Sequence, residues 1–167
     1  MRKLAITAIA VTMLASGGVA LANDDPTRTS DRTAPGHSIT VTGKTTQLNL
    51  LDLGDQGFTL GDQIAFSDDL ITEPNAEAAG LDGGICTLIR VTDADAQAGT
   101  VQCLITYSLK GGQVTTQGLL SLTNGGFLGT QVAAITGGTG LYRNARGDSK
   151  LEFVRPGELN ITLKILP

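Results

Sequence analysis

Short runs of valine, isoleucine, leucine and threonine alternate with clusters of glycine, aspartate and asparagine from position 38 to the end of the chain. No stretch there has the helical period of about 3.6 residues, so the pattern indicates about eight strands. Eight antiparallel strands can close into a barrel, which removes the sheet edges and leaves an interior for side chains or one small ligand. The sequence therefore predicts an all-β fold, an eight-stranded antiparallel closed β-barrel over residues 38–167, with a β-sandwich as the alternative. The predicted strands are residues 38–50, 61–72, 82–92, 100–109, 113–123, 129–136, 148–155 and 157–166.

The second predicted strand places a carboxylate in an apolar row. Alternate residues share one face of a strand, and one face here contains Ile64, Phe66, Asp68 and Leu70. An ionised carboxylate inside a barrel is costly unless it is paired, so Asp68 is expected to have a raised pKa or a cationic partner. Asp68 is therefore a candidate functional residue. In the alternative interpretation, Asp68 and Asp69 begin a turn and both face water.

The fourth predicted strand has a strongly apolar face that includes a cysteine. That face contains Val101, Cys103, Ile105, Tyr107 and Leu109. If residues 93–99 form a hairpin, Cys86 lies nearly opposite Cys103, at a separation that suits a disulfide. The same register places Leu88 and Arg90 on the interior face. Because a guanidinium stays charged, an internal Arg90 needs a barrel mouth or an acidic partner, and Asp68 is the candidate.

A glycine-rich turn follows the sixth predicted strand. Residues 134–147 have the sequence A-I-T-G-G-T-G-L-Y-R-N-A-R-G. Glycines at 137, 138 and 140 permit positive φ and close backbone approach, which a tight turn between strands requires. A dinucleotide-binding loop is disfavoured, because Arg143 stands where the third glycine of that fingerprint is expected.

This turn resembles the signature turn of the dirigent and allene oxide cyclase barrel superfamily, in which G-G-T-G, one residue and an aromatic residue precede R-N-A-R-G. Residues 61–70, G-D-Q-I-A-F-S-D-D-L, resemble the cyclases' G-D-L-V-P-F-S-N strand. Residues 84–89, G-I-C-T-L-I, resemble their G-L-C-V-V-I. The resemblance covers roughly residues 61–166. The chain departs from the cyclases where Asp68 replaces their asparagine and where residues 39–53 have neither glutamate nor proline.

The resemblance implies a barrel that confines a flexible apolar molecule so that ring closure or radical coupling gives one stereoisomer. Proximity and orientation supply such catalysis, and neither family needs a cofactor. It also implies a homotrimer, and it implies that Cys86 is a free pocket thiol, in conflict with a Cys86–Cys103 disulfide.

Individual residues of the predicted barrel have distinct expected roles. Asp68 is expected to be the proton donor or charge stabiliser, with Arg143 or Arg90 as the anion clamp. In the alternative interpretation, Arg143 only pins the turn to Asp148 and to backbone carbonyls. The expected substrate-binding residues are Phe66, Cys86, Leu88, Arg90, Ile105, Tyr107 and Tyr142. The expected structural residues of the turn are Gly137, Gly138, Gly140, Arg146 and Gly147.

The leading functional hypothesis is an exported barrel that binds an apolar unsaturated or phenolic substrate and guides its cyclisation or coupling. The ligand is expected to be fatty-acid-derived, phenolic or polyketide-like. One alternative is a lipocalin-like carrier in which the same walls hold a ligand without turnover. Another is a structural or interaction protein whose barrel is filled by its own side chains.

The first 37 residues and the overall composition limit the remaining possibilities. Residues 1–22 have the charged start, apolar run and A-L-A cleavage site of a signal peptide, so a secreted or periplasmic location is expected, with no membrane span after its removal. Residues 23–37 are polar and predicted to be a disordered tail. The single histidine, His37, disfavours a Ser-His-Asp triad or a multi-histidine metal site, and no metal is expected. A net charge of −4 with scattered cations disfavours nucleic-acid binding.

Overall fold

The computed structural model describes residues 36–166 and consists almost entirely of antiparallel strands. The predicted signal peptide and most of the predicted tail lie outside the described residues. The first strand begins at His37, within the segment assigned to the tail. The strands are β1 (His37–Leu51), β2 (Gln63–Thr72), β3 (Glu77–Asp93), β4 (Ala98–Leu109), β5 (Gly112–Thr123), β6 (Gly126–Phe127), β7 (Gly129–Gly138), β8 (Arg146–Arg155) and β9 (Glu158–Leu166).

Hydrogen bonding closes the sheet on itself. The strand order is β4-β3-β2-β1-β9-β8-β7-β5-β6, and β4 also pairs with β5 along its full length. The two-residue β6 pairs only with the end of β5, so eight strands form the ring. The closed eight-stranded antiparallel barrel is thus confirmed, and the β-sandwich alternative is wrong. Among residues 36–166, no helix is long and apolar enough to cross a membrane.

The antiparallel connections divide the barrel into two ends. The mouth end has the connections at residues 52–62, 94–97, 124–128 and 156–157. The base end has those at residues 73–76, 110–111 and 139–145, which include one turn of 3-10 helix at Gly140–Tyr142. Buried residues fill the half of the interior toward the base end. They include Val41, Leu70, Val114, Ile135, Ile161 and Leu163.

Two β-bulges change which residues face inward. In β1, the bulge between Thr45 and Gln47 shifts the alternation so that Leu48 faces the interior opposite Phe66. In β3, a bulge between Leu88 and Arg90 turns the arginine outward, where it is exposed. The expected interior position of Arg90 is therefore wrong, because one extra residue reverses the alternation.

The β3–β4 hairpin places two cysteines directly opposite each other. Cys86 pairs in register with Cys103, and the two form a disulfide across 17 residues of sequence. Both residues are fully buried on the inner face of the barrel. The predicted cross-strand disulfide is present, and the alternative of a free Cys86 thiol is wrong.

Candidate functional site

A cavity of about 570 Å³ occupies the half of the barrel toward the mouth end. Most of its walls are apolar, because alternate residues of the strands present hydrocarbon side chains to the interior. The wall residues include Ile64, Phe66, Ile105, Leu120, Leu151 and Leu159. A volume of this size is within the range of small-molecule sites. The structural-protein alternative requires an interior filled by the barrel's own side chains, but half of the interior is open.

Part of the rim of the cavity is also apolar. Phe127 and Phe153 stack there with ring centroids 5.0 Å apart. Leu48, Leu50 and Leu128 line the same opening and are 63%, 66% and 63% exposed. An apolar opening of this kind suits entry of a largely apolar molecule.

The end of the cavity furthest from the mouth is polar. A row of register partners crosses four strands there, from Thr45 to Asp68, from Asp68 to Asp82 and from Asp82 to Tyr107. We call Asp68, Asp82 and Tyr107 the cavity floor, and Asp68 with Asp82 the aspartate pair. All three line the cavity.

The aspartate pair is removed from solvent, with Asp68 2% and Asp82 1% exposed. Burial, and after it the negative charge of the neighbouring Asp68, raises the pKa of Asp82 to about 8. Burial also raises the pKa of Asp68, opposed by hydrogen bonds from Thr45 and Asp82. Two carboxyls this close share one proton near neutral pH, because ionising both in a dry site is unfavourable.

Tyr107 completes the cavity floor. Its side chain is fully buried, and its hydroxyl lies 3.5 Å from the Ser149 hydroxyl oxygen. Burial raises the pKa of Tyr107 to about 12, so its hydroxyl stays protonated and able to donate a hydrogen bond.

The ion pairs formed by residues 36–166 do not include the aspartate pair. At the rim, Glu158 forms ion pairs with Lys44 and with Arg155, the latter at 2.6 Å, and these contacts lower the pKa of Glu158. The third ion pair among residues 36–166 joins Lys150 to Glu152. Neither Asp68 nor Asp82 forms an ion pair with any described residue, and the expected Asp68–Arg90 pair is wrong.

The glycine-rich turn lies at the base end, opposite the mouth. Gly140 has a φ of 59° there, and the Leu141 N–H donates to the Gly111 carbonyl, which ties the turn to the β4–β5 connection. The Tyr142 hydroxyl donates to the Lys110 carbonyl. The turn therefore closes the base end of the barrel.

This position separates several predicted site residues from the cavity. Arg143 and Arg146 are exposed at the base end, and neither they nor Tyr142 line the cavity. Arg143 therefore does not act as an anion clamp in this cavity, because the β7–β8 connection lies at the closed end. Leu88 is buried but lines a smaller adjoining cavity of about 280 Å³.

The remaining predicted site residues meet in one place. The cavity lining includes Phe66, Asp68, Cys86, Ile105 and Tyr107. Sequence analysis missed Asp82, which shares the parity of Cys86 on β3. That parity could have indicated an inward carboxylate opposite Asp68.

Comparisons with known proteins agree with this architecture. The model of the allene oxide cyclase barrel like domain matches residues 37–163. A solved structure of a pyocyanin demethylase is 32% identical, with a TM-score of 0.66, and the match covers 77% of this chain and 99% of that one. No curated protein matches the chain.

Two more distant structures share the fold. The exo-specific intermolecular Diels-Alderase AbnU is 13% identical with a TM-score of 0.58, covering 80% of this chain and 100% of its own. The pterocarpan synthase dirigent protein GePTS1 is 16% identical with a TM-score of 0.58, and the match covers 89% of this chain and 97% of that one. The closed barrel and the family match together show that this chain belongs to the allene oxide cyclase barrel-like family.

Proposed function

We propose that the protein binds an apolar unsaturated or phenolic molecule in the barrel and catalyses its cyclisation or isomerisation by proton transfer. The observation that carries the proposal is a buried pair of carboxyls at the floor of an otherwise apolar cavity. Buried carboxyls with raised pKa values are typical of general acids and bases.

The aspartate pair can supply both the acid and the base that a proton-transfer reaction needs. Because the pKa of Asp82 is raised to about 8, we assign the proton that the pair shares, and the role of acid, to Asp82, and the role of base to Asp68. One proton passes to the substrate from Asp82 and another returns to the pair from a second substrate atom, so the composition of the substrate is unchanged. The Tyr107 hydroxyl can donate a hydrogen bond to an oxygen on which negative charge develops. The apolar walls exclude water and restrict the conformation of the substrate.

The relatives support chemistry on small molecules. By their names, they act in demethylation, in Diels–Alder reaction and in pterocarpan synthesis. Demethylation of a ligand similar to pyocyanin is a second candidate function, favoured by the 32% identity over 99% of the demethylase. A lipocalin-like carrier would use the same walls, but it has no need of two buried carboxyls, which are costly to bury.

A cavity-filling substitution tests the proposed site. Leu120 is buried in the cavity wall, whereas Leu141 lies in the base-end turn and is 84% exposed. We expect Leu120→Trp to weaken binding of pyocyanin by at least about 30-fold, since about 2 kcal/mol of contacts is lost to the filled volume. Leu141→Trp is the control and should bind as the unsubstituted protein does. The measurement is an absorbance titration.

Equal binding by both variants would contradict the proposed site. Chromatography of the same mixtures separates the two candidate functions. A demethylated product would favour the second candidate, and an isomer of the added molecule would favour the first.

We also propose that the protein acts outside the cytoplasm. The signal-peptide pattern of residues 1–22 supports export, and the Cys86–Cys103 disulfide is of a kind that persists in oxidising compartments.

The outer face of the barrel supports a further proposal, assembly into a homotrimer. On β3, β4, β5 and β7, exposed apolar side chains form a patch that includes Ile85, Leu104, Leu119 and Val132, each between 49% and 62% exposed. Ile85 and Leu104 are direct cross-strand partners. A contiguous apolar patch of this kind marks an interaction surface.

A charge in this patch tests the assembly. We expect Leu104→Lys to convert the oligomer to a monomer, because the buried ammonium would have no partner. Leu141→Lys, at an exposed leucine of the base-end turn, is the control. Light scattering after gel filtration gives the mass, and an unsubstituted protein that is already monomeric would refute the proposal.

A further inference from the structure

The cavity floor carries a negative charge that no described side chain neutralises. The aspartate pair is almost wholly buried, and the ion pairs formed by residues 36–166 all involve Glu152 or Glu158. Rim residue Arg155 is already bonded to Glu158. A buried anion without a cationic partner is strongly unfavourable, so the negative charge of the aspartate pair is uncompensated in the empty barrel.

Hydrogen bonds from the protein stabilise this buried charge only in part. The Oδ1 atoms of Asp68 and Asp82 are both buried without a hydrogen-bond partner among the described residues. The Thr45 hydroxyl supports Asp68, and the single proton shared by the pair provides one hydrogen bond between the carboxyls. This proton leaves one negative charge on the pair.

We propose that the ligand carries a cationic nitrogen, as a protonated amine or a positively charged aromatic heterocycle, which lies against Asp68 and Asp82 while its apolar body fills the cavity. The inference deepens the proposed function and rests on the same cavity. An ion pair formed in a dry site is strong and directional, so it fixes which end of the ligand faces the acid.

The same geometry disfavours anionic ligands. A carboxylate or phenolate at the floor would be repelled by the aspartate pair. Arg90 and Arg143, the residues expected to clamp an anion, lie on the outer face and at the base end. The structure therefore favours a ligand class different from the fatty-acid-derived class that the resemblance implies.

Three molecules with one ring system test the inference. At pH 7.5, 9-aminoacridine is a cation, acridine is neutral and acridine-9-carboxylate is an anion, and their fluorescence reports binding directly. We expect the unsubstituted protein to bind the cation about tenfold or more tightly than neutral acridine, because hydrogen bonds to charged groups are the strong ones. The anion is expected to bind most weakly.

Variants identify the source of the preference. Asp68→Asn/Asp82→Asn removes the charge, so it should bind the cation and neutral acridine within about twofold of each other while still binding acridine. Asp82→Asn alone keeps the Asp68 charge and should keep the preference. Asp69→Asn, next in sequence but exposed, is the matched control and should behave as the unsubstituted protein does.

A measurement without variants covers the case in which the double variant does not fold. The chain has a net charge of −4, which attracts cations to its surface. Salt screens such surface attraction but hardly affects a buried pair, so we expect the preference to persist in 0.5 M salt.

Other results would overturn the inference in distinguishable ways. If acridine binds and Leu120→Trp blocks it, but the cation has no advantage or loses it in salt, the proposed site stands and the ligand class is wrong. If none of the three molecules binds, or Leu120→Trp has no effect on binding, both proposals fail.

Discussion

Asp82→Asn is expected to raise the melting temperature of the protein at pH 8 by roughly 5–10 °C, corresponding to about 2 kcal/mol. The substitution keeps the shape of the side chain and removes a carboxyl that is 1% exposed beside another carboxyl. The asparagine amide can donate to the Asp68 carboxylate, so the buried group that remains gains a hydrogen bond.

The pH dependence of this gain follows from the raised pKa of Asp82. The unfolded chain releases the proton near the ordinary aspartate pKa of 3.8, whereas the folded protein keeps it up to a pKa of about 8. Between these values the folded state binds more protons than the unfolded state, so the free energy of unfolding falls as pH rises. The contribution is fully present below pH 4 and lost above pH 8.

Thermal melts of the two proteins across this range provide the measurement. The melting temperatures are expected to converge near pH 4 and to separate progressively toward pH 8. Asp69→Asn, at the exposed neighbour, should shift the melting temperature by no more than a degree or two at any pH. A variant that is less stable than the unsubstituted protein at pH 8 would show that the aspartate pair stabilises the barrel.

The same substitution is expected to lower turnover by roughly 10²–10⁴-fold, the usual contribution of a positioned acid or base. Asp82→Asn removes the transferable proton but leaves the cavity walls and the Asp68 charge in place. Ligand affinity should therefore change by less than about threefold, so the loss falls on kcat rather than on KM. Gain of stability with loss of activity is the behaviour expected of a functional residue.

Turnover can be followed on the molecule that native mass spectrometry releases from the protein purified from its own host. In the unsubstituted protein, kcat should fall as pH rises through about 8, because Asp82 then loses its proton. Asp69→Asn should retain full turnover. Full turnover by Asp82→Asn would instead mean that the aspartate pair takes no part in the chemistry, as in a carrier barrel.

The alternation of residues along single strands was enough to predict much of the fold and part of the site. It placed Phe66 and Asp68 on the inner face of β2, and the short β3–β4 hairpin was enough to pair Cys86 with Cys103. These features depend on the period of two and on near neighbours in sequence, so they are local.

Three features of the site were decided by the tertiary structure. Asp82 has the parity of an inward residue, but only the register between β2 and β3 sets it beside Asp68. A bulge places Arg90 on the outer face. Arg143 lies outside the cavity because the β7–β8 connection is at the closed end of the barrel. Register, bulges and the filling of one half of the barrel all depend on hydrogen bonds and side-chain volumes contributed by strands distant in sequence. Local periodicity therefore determined the barrel and its inner face, whereas packing between distant strands decided where the cavity opens and which charges meet at its floor.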